Sequence, residues 1–149
     1  MTPACECGAT RFNTHAEPLF RILCHCTICQ RYNDAPYGDV LVFRAEDVSL
    51  PPEDAVRFET YKPPPNVQRG KCASCAQPAV ETFILPLFPK LVMVPSPMFG
   101  ADADLPEPKA HIYYDKRVSD VEDAYPKYHG LLQSQFAFMK YLRSASRSS

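Results

Sequence analysis

Seven cysteines gathered into three tight clusters constrain this chain more than any other feature. They stand as Cys5-Glu6-Cys7, Cys24-His25-Cys26-Thr27-Ile28-Cys29 and Cys72-Ala73-Ser74-Cys75, with none outside. Cysteines used only as small buried hydrophobes have no reason to gather at these spacings. Disulfides fit poorly, because the count is odd and the polar stretch 1–10 lacks the basic start and apolar run of a secretory signal. A thioredoxin-like redox pair would place its C-x-x-C beside a strand-helix-strand unit, which the strand pattern described below does not offer.

Zinc explains the count. A structural zinc takes four tetrahedral thiolate or imidazole ligands, while a catalytic one keeps three and leaves a position for water or substrate. Seven divides as four plus three. Cys24, Cys26 and Cys29 can wrap three corners of one tetrahedron within a single turn of chain, leaving Cys5, Cys7, Cys72 and Cys75 to close the other. The competing division, Cys26 and Cys29 with Cys72 and Cys75, scatters Cys5, Cys7 and Cys24 for the second ion. His25 lies between two ligands, so its ring is expected to face away from the metal, toward a hydrogen-bond partner or a substrate.

The 149 residues suit one domain with one core. Sixteen prolines, about twice the usual share, break the chain into short strands. Strand patterns fall at 10–15, 19–24, 39–44, 56–61, 67–71, 79–85, 90–94 and 110–114, so the expected fold is mainly β. Residues 63–65 and the serine-rich end at 144–149 read as loop and disordered tail. One short helix is expected near the C-terminus, over 131–143, where Leu131, Leu132, Gln135, Phe136, Met139 and Leu142 recur at near-helical spacing. Its apolar stripe reads as core or homodimer packing. The expected organisation is thus a zinc-binding domain over 1–130 and a C-terminal extension over 131–149.

A net charge of −1 gives no broad positive field, which argues against nucleic-acid binding. The most apolar region, 79–98, is interrupted by Glu81 and prolines and falls short of a membrane span. A soluble, cytoplasmic protein is expected.

The ordered motifs resemble the GFA family, the glutathione-dependent formaldehyde-activating enzymes and their relatives, including the domain of centromere protein V. Cys5-Glu6-Cys7-Gly8 with Thr10-Arg11-Phe12 is similar to the family's opening C-x-C-G strand, and Cys24-His25-Cys26-x-x-Cys29 to its C-H-C-x-x-C signature. Ala35-Pro36-Tyr37, Arg69-Gly70 before Cys72-x-x-Cys75, His111-Ile112-Tyr113, Asp123-Ala124 and Pro126-Lys127-Tyr128 extend the likeness in order. The resemblance implies the family's β-tent of several small coiled sheets, the same four-plus-three zinc division, and a carbon-sulfur lyase activity. The family's named reaction condenses formaldehyde with glutathione to S-(hydroxymethyl)glutathione. Three places depart from the pattern: Gln30 where an arginine commonly follows the third cysteine, Asp34 where a glycine is usual, and Ala76-Gln77-Pro78 where Gly-Thr is usual.

The expected partner is therefore a small molecule, a glutathione-type adduct, with Asp34, His25 and His111 as the groups for proton transfer and Arg31 and Lys71 as contacts for substrate carboxylates. Two other readings stay open. One is a lyase or ring-opening enzyme on a non-glutathione metabolite; the other is a non-catalytic zinc module that binds a protein.

Overall fold

The computed structural model describes residues 1–64 and 66–148. Pro65 and Ser149, each part of an expected loop or tail, lie outside the described residues. The fold is mainly β, with nine strands in two sheets among the described residues. Each expected strand segment carries a strand, and the prolines sit where a strand tolerates them, as at the first residue of Pro78–Phe83 and the last of Leu91–Pro95.

The chain divides into two compact units. The first comprises Met1–Pro18 and Leu41–Asp104, the second Leu19–Val40 and Leu105–Ser149. In the first, β1 (Asn13–Thr14) pairs antiparallel with β4 (Val48–Ser49), a short strand that had no signal of its own. β5 (Val56–Glu59), β6 (Val67–Cys72), β7 (Pro78–Phe83) and β8 (Leu91–Pro95) follow as an antiparallel ladder. Gly70 in β6 is required by packing: a Cβ there would lie 2.5 Å from Val56 Cγ1 and 2.9 Å from Phe58 Cε1 on the neighbouring strand. Beside it the register shifts between Gly70 and Lys71, a bulge that bends the strand just before it delivers Cys72. Arg69 faces Glu81 across the ladder, Nε to Oε1 at 2.8 Å. The charge that interrupts the apolar stretch is thus buried as an ion pair. β3 (Gly38–Arg44) begins in the second unit and ends in the first, and Leu41, Val42 and Phe43 are all fully buried. Burial of consecutive residues explains why this strand shows an unbroken apolar run and not alternation.

In the second unit β2 (Phe20–Cys24) pairs in parallel with β9 (His111–Ile112), Leu23 opposite His111 and Cys24 opposite Ile112. β2 runs straight into α1 (Thr27–Asn33), a helix without a counterpart among the expected elements. α2 (Gly130–Ser148) continues past 143, so the serine-rich end is helical up to Ser148. Once a helix is nucleated, each added residue gains a hydrogen bond for one residue's ordering. α2 docks through Ser134, Ala137 and Leu142, all buried, and sets Phe138 edge-on to Phe20 with ring centroids 5.2 Å apart. Such a pair contributes about 0.5–1.5 kcal/mol beyond its buried area. Most of the expected apolar stripe faces away: Leu131, Leu132 and Phe136 are exposed, and of that set only Leu142 is fully buried. Small Ser134 and Ala137 let the helix backbone approach the sheet closely, and that approach fixes its rotation.

Candidate metal centres

Each unit holds one cysteine cluster, and all seven cysteines are free thiols. In the first unit Cys5 and Cys7 lie on the turn before β1, Cys72 ends β6, and Cys75 lies on the turn that follows. Cys5 Sγ is 3.3 Å from Cys7 Sγ and 3.6 Å from Cys72 Sγ, and Cys7 Sγ is 3.8 Å from Cys72 Sγ. Four sulfurs about 2.3 Å from a zinc ion stand about 3.8 Å apart, so the cluster has the size of a tetrahedral thiolate cage. The backbone supports it: Thr10 N–H donates to Cys5 Sγ at 3.3 Å and Ala9 N–H to Cys7 Sγ at 3.5 Å. Burial pushes the Cys72 thiol up, but hydrogen bonds from Thr10 and from the Cys75 and Ser74 N–H groups outweigh it and bring it down to about 6. That favours the thiolate a metal needs.

In the second unit the sulfurs of Cys24, Cys26 and Cys29 lie within 4.8 Å of one another, and among the described residues no histidine or carboxylate completes the group. The local reason is a strand that becomes a helix. Extended residues alternate faces, so Cys24 and Cys26 share one face and His25 takes the other. Cys26 then caps α1, its Sγ accepting from Cys29 N–H at 3.3 Å, which turns Cys29 back toward the pair. Gly38 closes the wall: a Cβ there would meet Asn33 Nδ2 at 2.9 Å and Cys29 Cβ at 3.4 Å. The thiols crowd one another, and hydrogen bonding to Cys26 raises Cys24 while bonds to Cys24 and Cys26 raise Cys29. A bound divalent cation reverses that preference by stabilising the thiolates.

His25 is not among the metal-capable residues. Its Nε2 is 2.8 Å from His111 Nδ1, and its ring packs against Tyr37 and Tyr114 at centroid distances of 4.7 and 5.1 Å. Burial, followed by repulsion from His111 and Arg117, lowers its pKa to about 4. The parallel ladder explains the meeting of the two rings. Leu23 is opposite His111, and His25, two residues on, shares its face; His25 N–H extends the ladder by donating to Ile112 O at 3.0 Å. His111 Nε2 in turn is 2.8 Å from Asp123 Oδ2, and Lys127 Nζ is 2.8 Å from Asp123 Oδ1. Burial raises Asp123, but the Lys127 and His111 hydrogen bonds prevail and hold it at about 2.

Of the other expected site residues, Arg31 and Asp34 are exposed, Arg31 in the last turn of α1 and Asp34 at its C-terminal cap in the left-handed region. Lys71 lies on β6 in the first unit, beside Cys72, opposite Arg57. Gln30 donates from Nε2 to His25 O at 2.8 Å and Lys116 O at 2.9 Å, tying the cysteine turn to the segment after β9. Asp123, Tyr37, Tyr114 and Gln30 had no assigned role from sequence. Asp123 was visible only as part of the late motif, because nothing local announces a partner twelve residues away.

A mainly β chain with one four-cysteine group and one three-cysteine group, the second adjoining a buried histidine pair, defines a protein with two unequal clusters that could hold metal. The family model described as glutathione-dependent formaldehyde-activating enzyme, GFA, matches residues 1–116, and the chain belongs to that family. The match contains both clusters and His111; Asp123 and α2 follow it. A crystal structure of a Rhodobacter sphaeroides protein is similar in fold, with a TM-score of 0.55 at 16% sequence identity over 69% of this chain and 91% of that one. A comparison with curated proteins gives no significant match.

Proposed function

We propose that this chain is a zinc-dependent enzyme of carbon-sulfur lyase type acting on a small thiol adduct. The observation that carries the reading is the inequality of the two centres: one group has four thiol donors, the other three, with a buried histidine pair attached to the second. An all-sulfur donor set selects soft or borderline metals, zinc above all in a structural four-cysteine site. In the second centre Cys24, Cys26 and Cys29 would hold the ion, which when bound supplies a Lewis acid and a position for a thiolate.

The remaining chemistry belongs to the chain. In the family's named reaction the sulfur of glutathione adds to the carbonyl carbon of formaldehyde, the thiol losing a proton and the carbonyl oxygen gaining one. His25 and His111 are the groups built to take part in that exchange, being buried and hydrogen-bonded to each other at 2.8 Å. Arg31, exposed on α1, is the cation for a substrate carboxylate. Asp34 is exposed and takes the left-handed turn after α1, so capping accounts for it more directly than proton transfer. Seven free thiols suit the reducing cytoplasm.

A second reading, lyase or ring-opening chemistry on a non-glutathione metabolite, is favoured by Gln30. Both amide protons of that side chain are committed to backbone carbonyls, and no charge stands there to meet a peptide carboxylate. Metal analysis combined with mass spectrometry of products from glutathione plus formaldehyde and from other thiol adducts tests both. Two zinc ions per chain are expected, with Cys26→Ser keeping one of them and losing turnover. Turnover that survives Cys26→Ser removes the mechanism, and two tightly held ions with no turnover on any adduct would make the protein a binding module.

A further inference from the structure

The hydrogen-bond chain that starts at Asp123 ends at His25, which lies between Cys24 and Cys26 in the sequence, and its direction can be worked out. Both oxygens of the carboxylate are committed: Oδ1 accepts from Lys127 Nζ at 2.8 Å and from Tyr125 N–H at 3.1 Å, and Oδ2 faces His111 Nε2 at 2.8 Å. An ionised carboxylate can only accept, so His111 carries its proton on Nε2. In a neutral ring Nδ1 is then a bare acceptor. His25 Nε2, 2.8 Å away, must therefore be the donor. This leaves His25 Nδ1 without a proton, and that atom is buried with no hydrogen-bond partner among the described residues. Both rings are sealed from solvent, His25 at 1% and His111 at 0% exposure, so water in bulk does not set the tautomer.

We propose that Asp123 is a positioning residue which, acting through His111, fixes His25 in its Nε2–H tautomer and so presents Nδ1 as a hydrogen-bond acceptor within the C-H-C-x-x-C motif. The complement of such an atom is a small donor, a hydroxyl or a thiol. This deepens the proposed function, on which the acceptor's use by a substrate rests; the tautomer itself does not depend on turnover. A merely structural ion pair between Asp123 and Lys127 would place no demand on His25.

The substitution that reads this most directly is Asp123→Asn. Lys127 and the Tyr125 N–H are both donors and hold the amide oxygen on their side, which turns the amide nitrogen toward His111. A donor now faces His111 Nε2, so its proton moves to Nδ1 and the whole chain reverses, leaving His25 protonated at Nδ1. Long-range proton–nitrogen correlation spectra of the full-length, zinc-loaded protein at neutral pH distinguish protonated from bare ring nitrogens. In the wild type, His25 Nε2 is expected to be the protonated nitrogen and Nδ1 the bare one. In Asp123→Asn the two are expected to exchange, and Asp123→Glu is expected to restore the wild-type pattern. A wild-type His25 protonated at Nδ1 overturns the proposal even if the variant does not fold, and so does a folded Asp123→Asn protein whose His25 signals stay as in the wild type. Loss of turnover on every thiol adduct with the expected tautomer intact would count against the lyase reading alone.

Discussion

Ala76 closes the turn after the Cys72-x-x-Cys75 pair with a φ of +64°, a conformation in which its Cβ crowds the following carbonyl. Its N–H donates to Cys72 O at 2.8 Å, so the turn needs that geometry to complete the cage. The resemblance to the family set glycine at this position and at Asp34, and both residues prove to occupy the left-handed region, Asp34 with φ +46°. The two departures differ physically. Aspartate visits this region readily because its short polar side chain bonds locally, whereas alanine has no such compensation. Ala76→Gly is therefore expected to raise the stability of the zinc-loaded protein by about 1 kcal/mol, the relief of strain exceeding the added freedom of the unfolded chain. Urea titration would read this as a higher midpoint with an unchanged slope, and a lower midpoint would show that the turn does not store strain. Asp34→Gly should move the midpoint less.

At the scale of elements, the difference between α1 and α2 shows what sequence patterning can reveal. α1 covers only seven residues, too few for a helical period to emerge, and its cap is a cysteine and not one of the usual Ser, Thr, Asp or Asn. α2 is long and free of proline, so its existence was legible, but its orientation was not. The apolar residues of its sequence suggest one face, while the buried face is set by small Ser134 and Ala137. Ser134 also has a task no periodicity encodes: its Oγ accepts from Tyr113 N–H at 2.8 Å, and Tyr113 holds a left-handed φ of +53° directly after β9. Removing that oxygen leaves a backbone donor without its partner, which costs about 1–3 kcal/mol. Ser134→Ala should destabilise by that amount, whereas Leu132→Lys, at a position 84% exposed, should lie within about 0.5 kcal/mol of wild type. Thermal unfolding of the two variants side by side checks the assignment of faces. If Leu132→Lys proved the more damaging, the helix would dock by the stripe its sequence suggests.

For the whole molecule, the division of the chain into two units, each with its own cluster, predicts how metal leaves it. The clusters themselves were legible because ligands for one ion must sit within a few residues of each other or on turns that can meet. Their separation into two units was not, since Met1–Pro18 joins Leu41–Asp104 across an intervening segment that belongs elsewhere. His25 and His111 were each legible as groups for proton transfer, but their contact was not, since they are 86 residues apart. In the first unit the four thiols tie the N-terminal turn to the end of β6 and its following turn. A structural zinc bound this way contributes an apparent stabilisation on the order of 10–16 kcal/mol, as much as the whole net stability of a typical domain, about 5–15 kcal/mol. The three-thiol group in the second unit would hold an ion with one protein ligand fewer, and β2, β9 and α2 pack there through the buried Phe20, Ile112, Ala137 and Leu142. A competing chelator should therefore extract zinc in two phases. The first equivalent is expected to leave without change in far-ultraviolet circular dichroism, and the second to leave slowly and to take the β signal of the first unit with it. Cys26→Ser should abolish the first phase and spare the second, and Cys72→Ser should do the reverse at the cost of folding. Release of both ions in one step, or unfolding that accompanies the first equivalent, would mean that the two centres stabilise the chain alike and that their inequality of ligands has no thermodynamic consequence.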